Sequence, residues 1–300
     1  MIEYSIIIPH KDIPDLLQRC LDSIPERDDI QTIIVDDNSS PDIVDFDQFP
    51  GCHRKNTEVY LTKEGRGAGY ARNVGLKYAE GKWLIFSDAD DFFADEFSSI
   101  LDEMIEAEED LIFFDHRSVL SNDPSIPAAR TKYTSEYIAT YLNGDSSETN
   151  LRCKWPVPTG KIIRRSIVEA NQITFSETRW SNDVFFSAQV ACFANKIRVT
   201  DRCGYVMTVR EGSLISDFCG SQPEVLDRLQ ETIKSERLYS SFRIPQPSKL
   251  SNDYLWITYR KHGFFWCLSF CLKNLARWPV AKATGLFLAK RLLKTLKHPR

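Results

Sequence analysis

Three short stretches of this chain are apolar almost without a break and run straight into turn-formers or carboxylates. "YSIIIP" closes at Pro9, "QTIIVDD" leaves into Asp36 and Asp37, and "KWLIFSDADD" leaves into Asp88, Asp90 and Asp91. A strand with one wet face alternates apolar and polar residues, whereas a continuous apolar run is buried on both faces. Such strands demand helices above and below the sheet, and the intervening segments provide them. Leu16, Leu17, Cys20, Leu21 and Ile24 fall at helical spacing; "YARNVGLKYAEG" follows Gly65, Gly67 and Gly69; "DEFSSILDEMIEAEE" follows the acids. "TEVYLT" and "DLIFFDHR" read as further strands. The alternation predicts an α/β architecture built on a largely parallel, doubly wound sheet.

In that architecture ligands bind outside the carboxyl ends of the strands. Two separate strands deliver acids to that edge, and clustered carboxylates repel one another unless a cation or hydrogen-bond donors offset the charge. Asp is also a turn and helix-cap residue, and Asp91 is read as the cap of the helix that follows. Carboxylates are hard oxygen ligands suited to Mg²⁺ or Mn²⁺ shared with substrate phosphates, and such an ion can neutralise a departing diphosphate. The expected ligand is therefore a nucleotide diphosphate compound. The acids would grip metal and ribose, with the backbone near Pro9 bordering the base.

Other chemistries find no support. The three glycines do not complete GxGxxG and follow the third strand rather than the first. There is no GxxxxGK[ST], no GxSxG, and the five histidines lie in no triad context. The eight cysteines form no CxxC pair, so a zinc site is not expected; with an acidic N-terminus that enters a strand at once, they read as reduced cytosolic thiols.

From Leu120 to about Cys153 the chain turns polar. "WPVPTGKIIRRSIVEANQITFSE" reads as a strand or loop followed by a short helix, with Lys161 either a solvated surface lysine or a diphosphate contact. Val184, Phe185, Ala188 and Ala191 predict a helix with Asp183 in its first turn, where the helix dipole would hold that carboxylate ionised. "KIRVTDRCGYVMTVR" reads as a strand pair. Arg72 and Asn73 either satisfy local backbone or face the ligand, and His10 is read as structural or a bystander. From Pro223 onward helical patterns dominate.

Charge is distributed unevenly. The ten Lys/Arg from Tyr254 to Arg300 meet no Asp or Glu, leaving 28 basic residues against all 42 acidic ones in the rest of the chain. Leu288, Leu292, Leu293 and Leu296 share one helical arc opposite Lys290, Arg291, Lys294 and Lys297, a basic amphipathic pattern suited to an anionic membrane surface or to packing on the protein or a second subunit.

Taken in order, "SIIIP", "IIVDDNSS", "ARNVGLKYAEGKWLIFSDADD" and "SND" resemble the family 2 glycosyltransferases over most of residues 1–210. The resemblance implies a GT-A fold, a Rossmann-like mixed sheet with a C-terminal helical extension. Residues 1–220 would be catalytic, with a nucleotide-binding half to 115 and an acceptor half beyond it, and residues 221–300 helical. It implies that Asp37 hydrogen-bonds a uracil-like base, that Asp88 and Asp90 form a DxD motif with Asp90 on the metal and Asp88 on ribose or metal, and that Asp183 is the catalytic base. Pro9, Lys11 and Arg72 join the nucleotide-sugar site.

Three departures stand out. Asn182 replaces the family's usual Glu or Gly, Lys11 stands where an aromatic is common, and "ETRW" lacks the Gln of the processive QxxRW signature.

The implied activity is inverting, Mg²⁺- or Mn²⁺-dependent hexosyl transfer from a nucleotide diphosphate sugar, UDP-sugar favoured, to a glycan or lipid-linked acceptor in bacterial surface-polysaccharide synthesis. It would take place in the cytoplasm or at the inner face of the membrane, with peripheral contact through 254–300. Nucleic acid is not expected as a partner, and a homodimer is compatible with this reading. The alternatives are a sugar nucleotidyltransferase and a non-catalytic nucleotide-sugar-binding protein.

Overall fold

The computed structural model describes residues 1–144, 148–210, 220–246 and 250–297. Strand β1 (Tyr4–His10) is buried at every position and pairs in parallel with β2 (Ile30–Asp37) on one side and β4 (Trp83–Phe86) on the other. β3 (Thr57–Thr62) extends the parallel set beyond β2. Helix α1 (Pro14–Asp22) links β1 to β2, and α2 (Ala68–Tyr78) links β3 to β4.

Successive residues of these strands enter opposite cores. Ile6, Ile8, Ile34 and Ile85 pack in one layer with α1 and with α3 (Phe97–Met104); Ile7, Ile33, Val35, Leu84 and Phe86 pack in the other. Burial on both faces explains the unbroken apolar runs. Each such Ile contributes about 1.5–3 kcal/mol relative to exposure.

Beyond β4 the sheet is mixed. The short β8 (Lys161–Arg164) runs antiparallel to both β4 and β6 (Leu111–Leu120), and β9 (Ile197–Val209) runs parallel to β6. β5 (Phe92–Phe93) and β7 (Pro127–Ala128) add short antiparallel pairings to β9 and β6. The path across the sheet is β3-β2-β1-β4-β8-β6-β9-β5 among the described residues. The largely parallel expectation thus holds for its first half and gives way to the mixed sheet in its second.

β9 is one long strand, not a pair. "DRCG" resembles a turn but forms an irregularity in which the register shifts from Phe114↔Thr200 to Asp115↔Cys203 and His116↔Tyr205. A Cβ on Gly204 would fall 2.7 Å from the Phe114 ring, so only glycine lets the strand pass that side chain closely.

Helices α4 (Lys132–Leu142), α5 (Thr149–Lys154), α6 (Arg165–Ala170) and α7 (Val184–Phe193) complete the α/β layer. α8 (Gln222–Ser241), α9 (Leu250–Lys273) and α10 (Trp278–Lys297) share their own cluster around Leu229, Leu255, Phe270 and Phe287. α8 is tied to the α/β part, with the Tyr239 hydroxyl donating to Arg152 O at 3.1 Å and Ser176 hydrogen-bonded to Glu231. Leu288, one of the leucine arc, is buried in the helical cluster, in line with the packing alternative for that residue, and Lys290 is exposed. The side chains from Arg291 onward, including Leu292, Leu293, Lys294, Leu296 and Lys297, lie outside the described residues. No helix among the described residues is long and apolar enough to cross a membrane.

Candidate active site

β2, β1 and β4 are parallel neighbours, so their carboxyl ends share one edge of the sheet. The two residues of the first acid pair have different tasks there. Asp36 is buried and accepts from His10 Nδ1 (2.7 Å), Ser39 N (2.9 Å) and Ser39 Oγ (2.5 Å). Burial pushes its pKa up, but these donors outweigh burial and hold it below the usual value. His10 Nε2 accepts from Ile13 N at 3.2 Å, which leaves the ring proton on Nδ1 facing Asp36, so His10 is structural as expected.

Asp37 accepts from the backbone N–H groups of Arg66 (2.9 Å) and Gly67 (2.7 Å). It thereby holds the turn that opens α2. Exposed Lys11 donates to Asp37 O at 2.9 Å and stands 4.0 Å from its carboxylate. Pro9 is buried opposite Val35.

Helix α2 joins this edge to the second half of the chain. Gly67 begins the helix at φ +93°, and a Cβ on Gly69 would lie 2.1 Å from Ser176 O, so the first turn can press against the 175–182 backbone. Asn73 donates to Phe175 O at 2.9 Å and accepts from Phe175 N at 2.8 Å; it serves backbone, one of its two expected roles. Arg72 does something different. Its Nη2 reaches Asp88 Oδ1 at 2.5 Å and its Nη1 reaches Asn182 Oδ1 at 2.9 Å, while its buried Nε has no partner among the described residues. One guanidinium therefore links Asp88 to the residue preceding Asp183.

The second acid cluster brings oxygens of Asp88, Asp90 and Asp91 within 4.8 Å of one another. Asp91 does not cap a helix; Glu96 occupies that position on α3. Asp91 is instead buried and accepts from the Tyr205 hydroxyl (2.8 Å) and Thr208 N (2.6 Å) on β9. Burial first, then the charges of Asp88 and Asp90, push its pKa well up. Asp88 and Asp90 remain partly exposed. Asp90 Oδ2 accepts from Arg210 Nε at 2.9 Å, and its carbonyl accepts from Arg19 (2.7 Å) and Thr208 Oγ1 (2.7 Å).

Arg210, Tyr205, Thr208 and Arg19 escaped the sequence reading. They carry no motif, and the three on β9 and its exit meet the acids only because β9 crosses the sheet to reach them.

Asp183 sits at the N-cap of α7, yet its side chain makes no capping hydrogen bond. Its carboxylate is therefore not engaged in a cap. The dipole expectation needs correction: burial pushes its pKa up, with Asp88 adding to the rise and Arg72 opposing it. Lys161 also departs from both expected roles. It is buried, donates to Trp155 O at 2.8 Å, and burial pushes its pKa down to about 7 against the opposing pull of Asp183.

The acids at the strand exits and the mixed sheet with its C-terminal helices define a GT-A class of protein, and comparison with solved structures agrees on the fold. The chain superposes on Staphylococcus aureus TarS 1–349 in complex with UDP-GlcNAc with a TM-score of 0.64 at 21% identity, covering 95% of this chain and 80% of that one. It also superposes on the mannosyltransferase PcManGT from Pyrobaculum calidifontis in complex with GDP-Man and Mn²⁺, with a TM-score of 0.54 at 16% identity and coverage of 97% and 87%.

The model of glycosyl transferase family 2 matches residues 5–171, more than half of the chain, and the protein belongs to that family. Among curated relatives, it is 27% identical over 263 residues to the poly(ribitol-phosphate) beta-N-acetylglucosaminyltransferase TarS of Staphylococcus aureus, covering 85% of this chain and 44% of that protein. It is 24% identical over 250 residues to the poly(ribitol-phosphate) beta-glucosyltransferase of Bacillus spizizenii, covering 76% and 37%. The chain thus spans less than half the length of these two relatives.

Proposed function

We propose that the protein is an inverting glycosyltransferase that moves a sugar from a nucleotide diphosphate sugar, most suitably a UDP-sugar, to a hydroxyl of a surface glycan or its lipid-linked precursor. The observation that carries this reading is the Arg72 bridge. It ties Asp88 of the strand-exit DxD motif to Asn182, the residue next to Asp183, whose carboxylate makes no capping hydrogen bond.

In the proposed reaction Asp183 accepts the proton of the acceptor hydroxyl as its oxygen bonds to the anomeric carbon. The bond from that carbon to the diphosphate breaks on the opposite face, and the nucleoside diphosphate leaves with the bonding pair. Anomeric configuration is inverted, and Asp183 later returns its proton to water. A carboxyl pKa raised toward the working pH strengthens Asp183 as a base while leaving it ionised above that value.

Asp88 and Asp90 fit a divalent cation. They offer hard oxygen atoms within 4.8 Å of each other and of Asp91, and they remain accessible, whereas Asp91 is enclosed and bonded to β9. Mg²⁺ or Mn²⁺ bound there would supply positive charge to the departing diphosphate. Asp37, Lys11 and Pro9 would border the nucleoside, the turn at Arg66–Gly67 lying against the Asp37 carboxylate.

The UDP-GlcNAc bound by TarS favours UDP over GDP, and the family match favours sugar transfer over nucleotidyl transfer. We place the reaction on the cytoplasmic side, where the basic stretch 254–300 could meet anionic lipid. A panel of UDP-, GDP- and dTDP-sugars, assayed for nucleotide release with and without Mn²⁺, tests the proposal. Metal-stimulated release from a UDP-sugar is expected, and no release or binding with any donor would overturn it.

A further inference from the structure

The second half of α9 is apolar on both sides. Gly263, at φ +80° and ψ −178°, breaks the helix, and the turns beyond it bury Cys267 and Phe270 against Val280 and Phe287 of α10. The opposite face leaves Phe265 at 83% exposure, Leu268 at 37% and Leu272 at 58%, and the turn that follows exposes Leu275. The 265, 268, 272, 275 spacing is a single helical stripe. A helix apolar all round is normally enclosed by more protein or by lipid, and here one face is uncovered.

The charge of the segment that carries the stripe indicates what covers it. Arg260, Lys273, Arg277, Lys282 and Lys290 are exposed, and no acid occurs anywhere from Tyr254 to Arg300. A symmetric contact between two copies would place two such basic surfaces face to face, which is repulsive. A soluble polyanion would satisfy the charge but gain nothing from an exposed Phe265. An anionic bilayer satisfies both: acyl chains take Phe265 and the leucines, and headgroups take the lysines and arginines.

We propose that the stripe Phe265, Leu268, Leu272 and Leu275 on the C-terminal helices docks the protein on an anionic lipid surface. The surface is thus on α9 and its following turn, not on the buried Leu288 side of α10. The proposal rests on the lipid contact read above for residues 254–300, names the surface that makes it, and is independent of donor chemistry.

The test uses the full chain and co-sedimentation with vesicles of phosphatidylglycerol and phosphatidylcholine, against phosphatidylcholine alone. Wild type should sediment with the anionic vesicles only, and should be released as salt rises above about 0.1 M, where screening reaches ~10 Å. Phe265→Ser combined with Leu268→Ser and Leu272→Ser should weaken this binding at least about tenfold, as expected for losing three inserted apolar side chains. Donor hydrolysis should be unchanged by this variant, which separates failure of the docking proposal from failure of the catalytic reading. Should the triple variant melt early, Lys273→Glu with Lys282→Glu gives the deciding measurement, and the same loss is expected. Wild type that stays in the supernatant overturns the proposal, as does a folded triple variant that binds like wild type. A triple variant that turns a dimer into monomers, with no vesicle binding by either form, assigns the stripe to a second copy. Binding to soluble polyphosphate together with vesicle binding insensitive to Phe265 assigns the basic residues to a polyanion.

Discussion

Arg72 donates to Asp88 at 2.5 Å and to Asn182 at 2.9 Å, so one side chain on α2 spans two segments that are 94 residues apart in sequence. The guanidinium is almost fully enclosed while Asp88 is 39% exposed. An enclosed charge needs its partners, and a planar fork can serve two acceptors in a fixed geometry that an ammonium cannot reproduce. Arg72→Lys should therefore keep the charge and lose the bridge. We expect kcat/KM to fall by about 10²-fold, or ~2.7 kcal/mol at 1.36 kcal/mol per decade, with much smaller loss of thermal stability than Arg72→Ala. Steady-state kinetics and melting curves for both variants measure this. Wild-type kinetics in Arg72→Lys would show that the bridge is not needed.

Asp183→Asn retains size and the N-cap position but cannot take a proton. Transfer should fall by about 10²–10⁴-fold while donor binding stays within severalfold of wild type, as measured by calorimetric titration beside the rate assay. The sign of the pH effect follows from burial. Because the Asp183 pKa is raised, the group loses its proton at higher pH than an ordinary Asp, and activity should fall on acidification through a limb lying above 3.8. A limb at or below the ordinary Asp value would contradict the burial argument. NMR of the product should show the inverted anomer.

The two arginines on the DxD acids give the metal reading a separate check. Arg72 pairs with Asp88 and Arg210 with Asp90, so each carboxylate has a cationic side chain as partner. Asp90→Ala should leave the fold intact, since its carboxylate is partly exposed, and should abolish Mn²⁺ stimulation of donor binding. Full turnover in excess chelator would falsify metal dependence.

Much of this site is written locally in the chain. Runs such as Ile6–Ile8 and Ile33–Val35 announce strands because both cores claim alternate residues, and the acids follow directly at their ends. Asp183 likewise lies beside a helical pattern. Pairings across long separations leave no such trace: nothing near Arg210 points to Asp90, and nothing near Tyr205 points to Asp91. β9 was misread because "DRCG" has turn composition, whereas its irregularity is set by Gly204 against Phe114. Lys161 was misread for a related reason. It begins a four-residue strand inserted antiparallel between β4 and β6, and burial there is decided by neighbours remote in sequence.

That burial gives Lys161 a measurable consequence for stability. Its pKa is pushed down to about 7 in the folded protein and returns to 10.5 on unfolding. Between those values the unfolded chain binds the proton and the native protein does not, so stability rises with pH across that window. Below about 7 both states are protonated, and this contribution to the slope vanishes. The slope approaches about 1.4 kcal/mol per pH unit in the middle of the window for a single group. Lys161→Met preserves the apolar stem, removes the titration and leaves the Trp155 carbonyl without this donor. Urea unfolding at several pH values between 7 and 9.5 should give a clear rise for wild type and a flatter profile for the variant. Parallel profiles would mean that the amine stays protonated in its buried site.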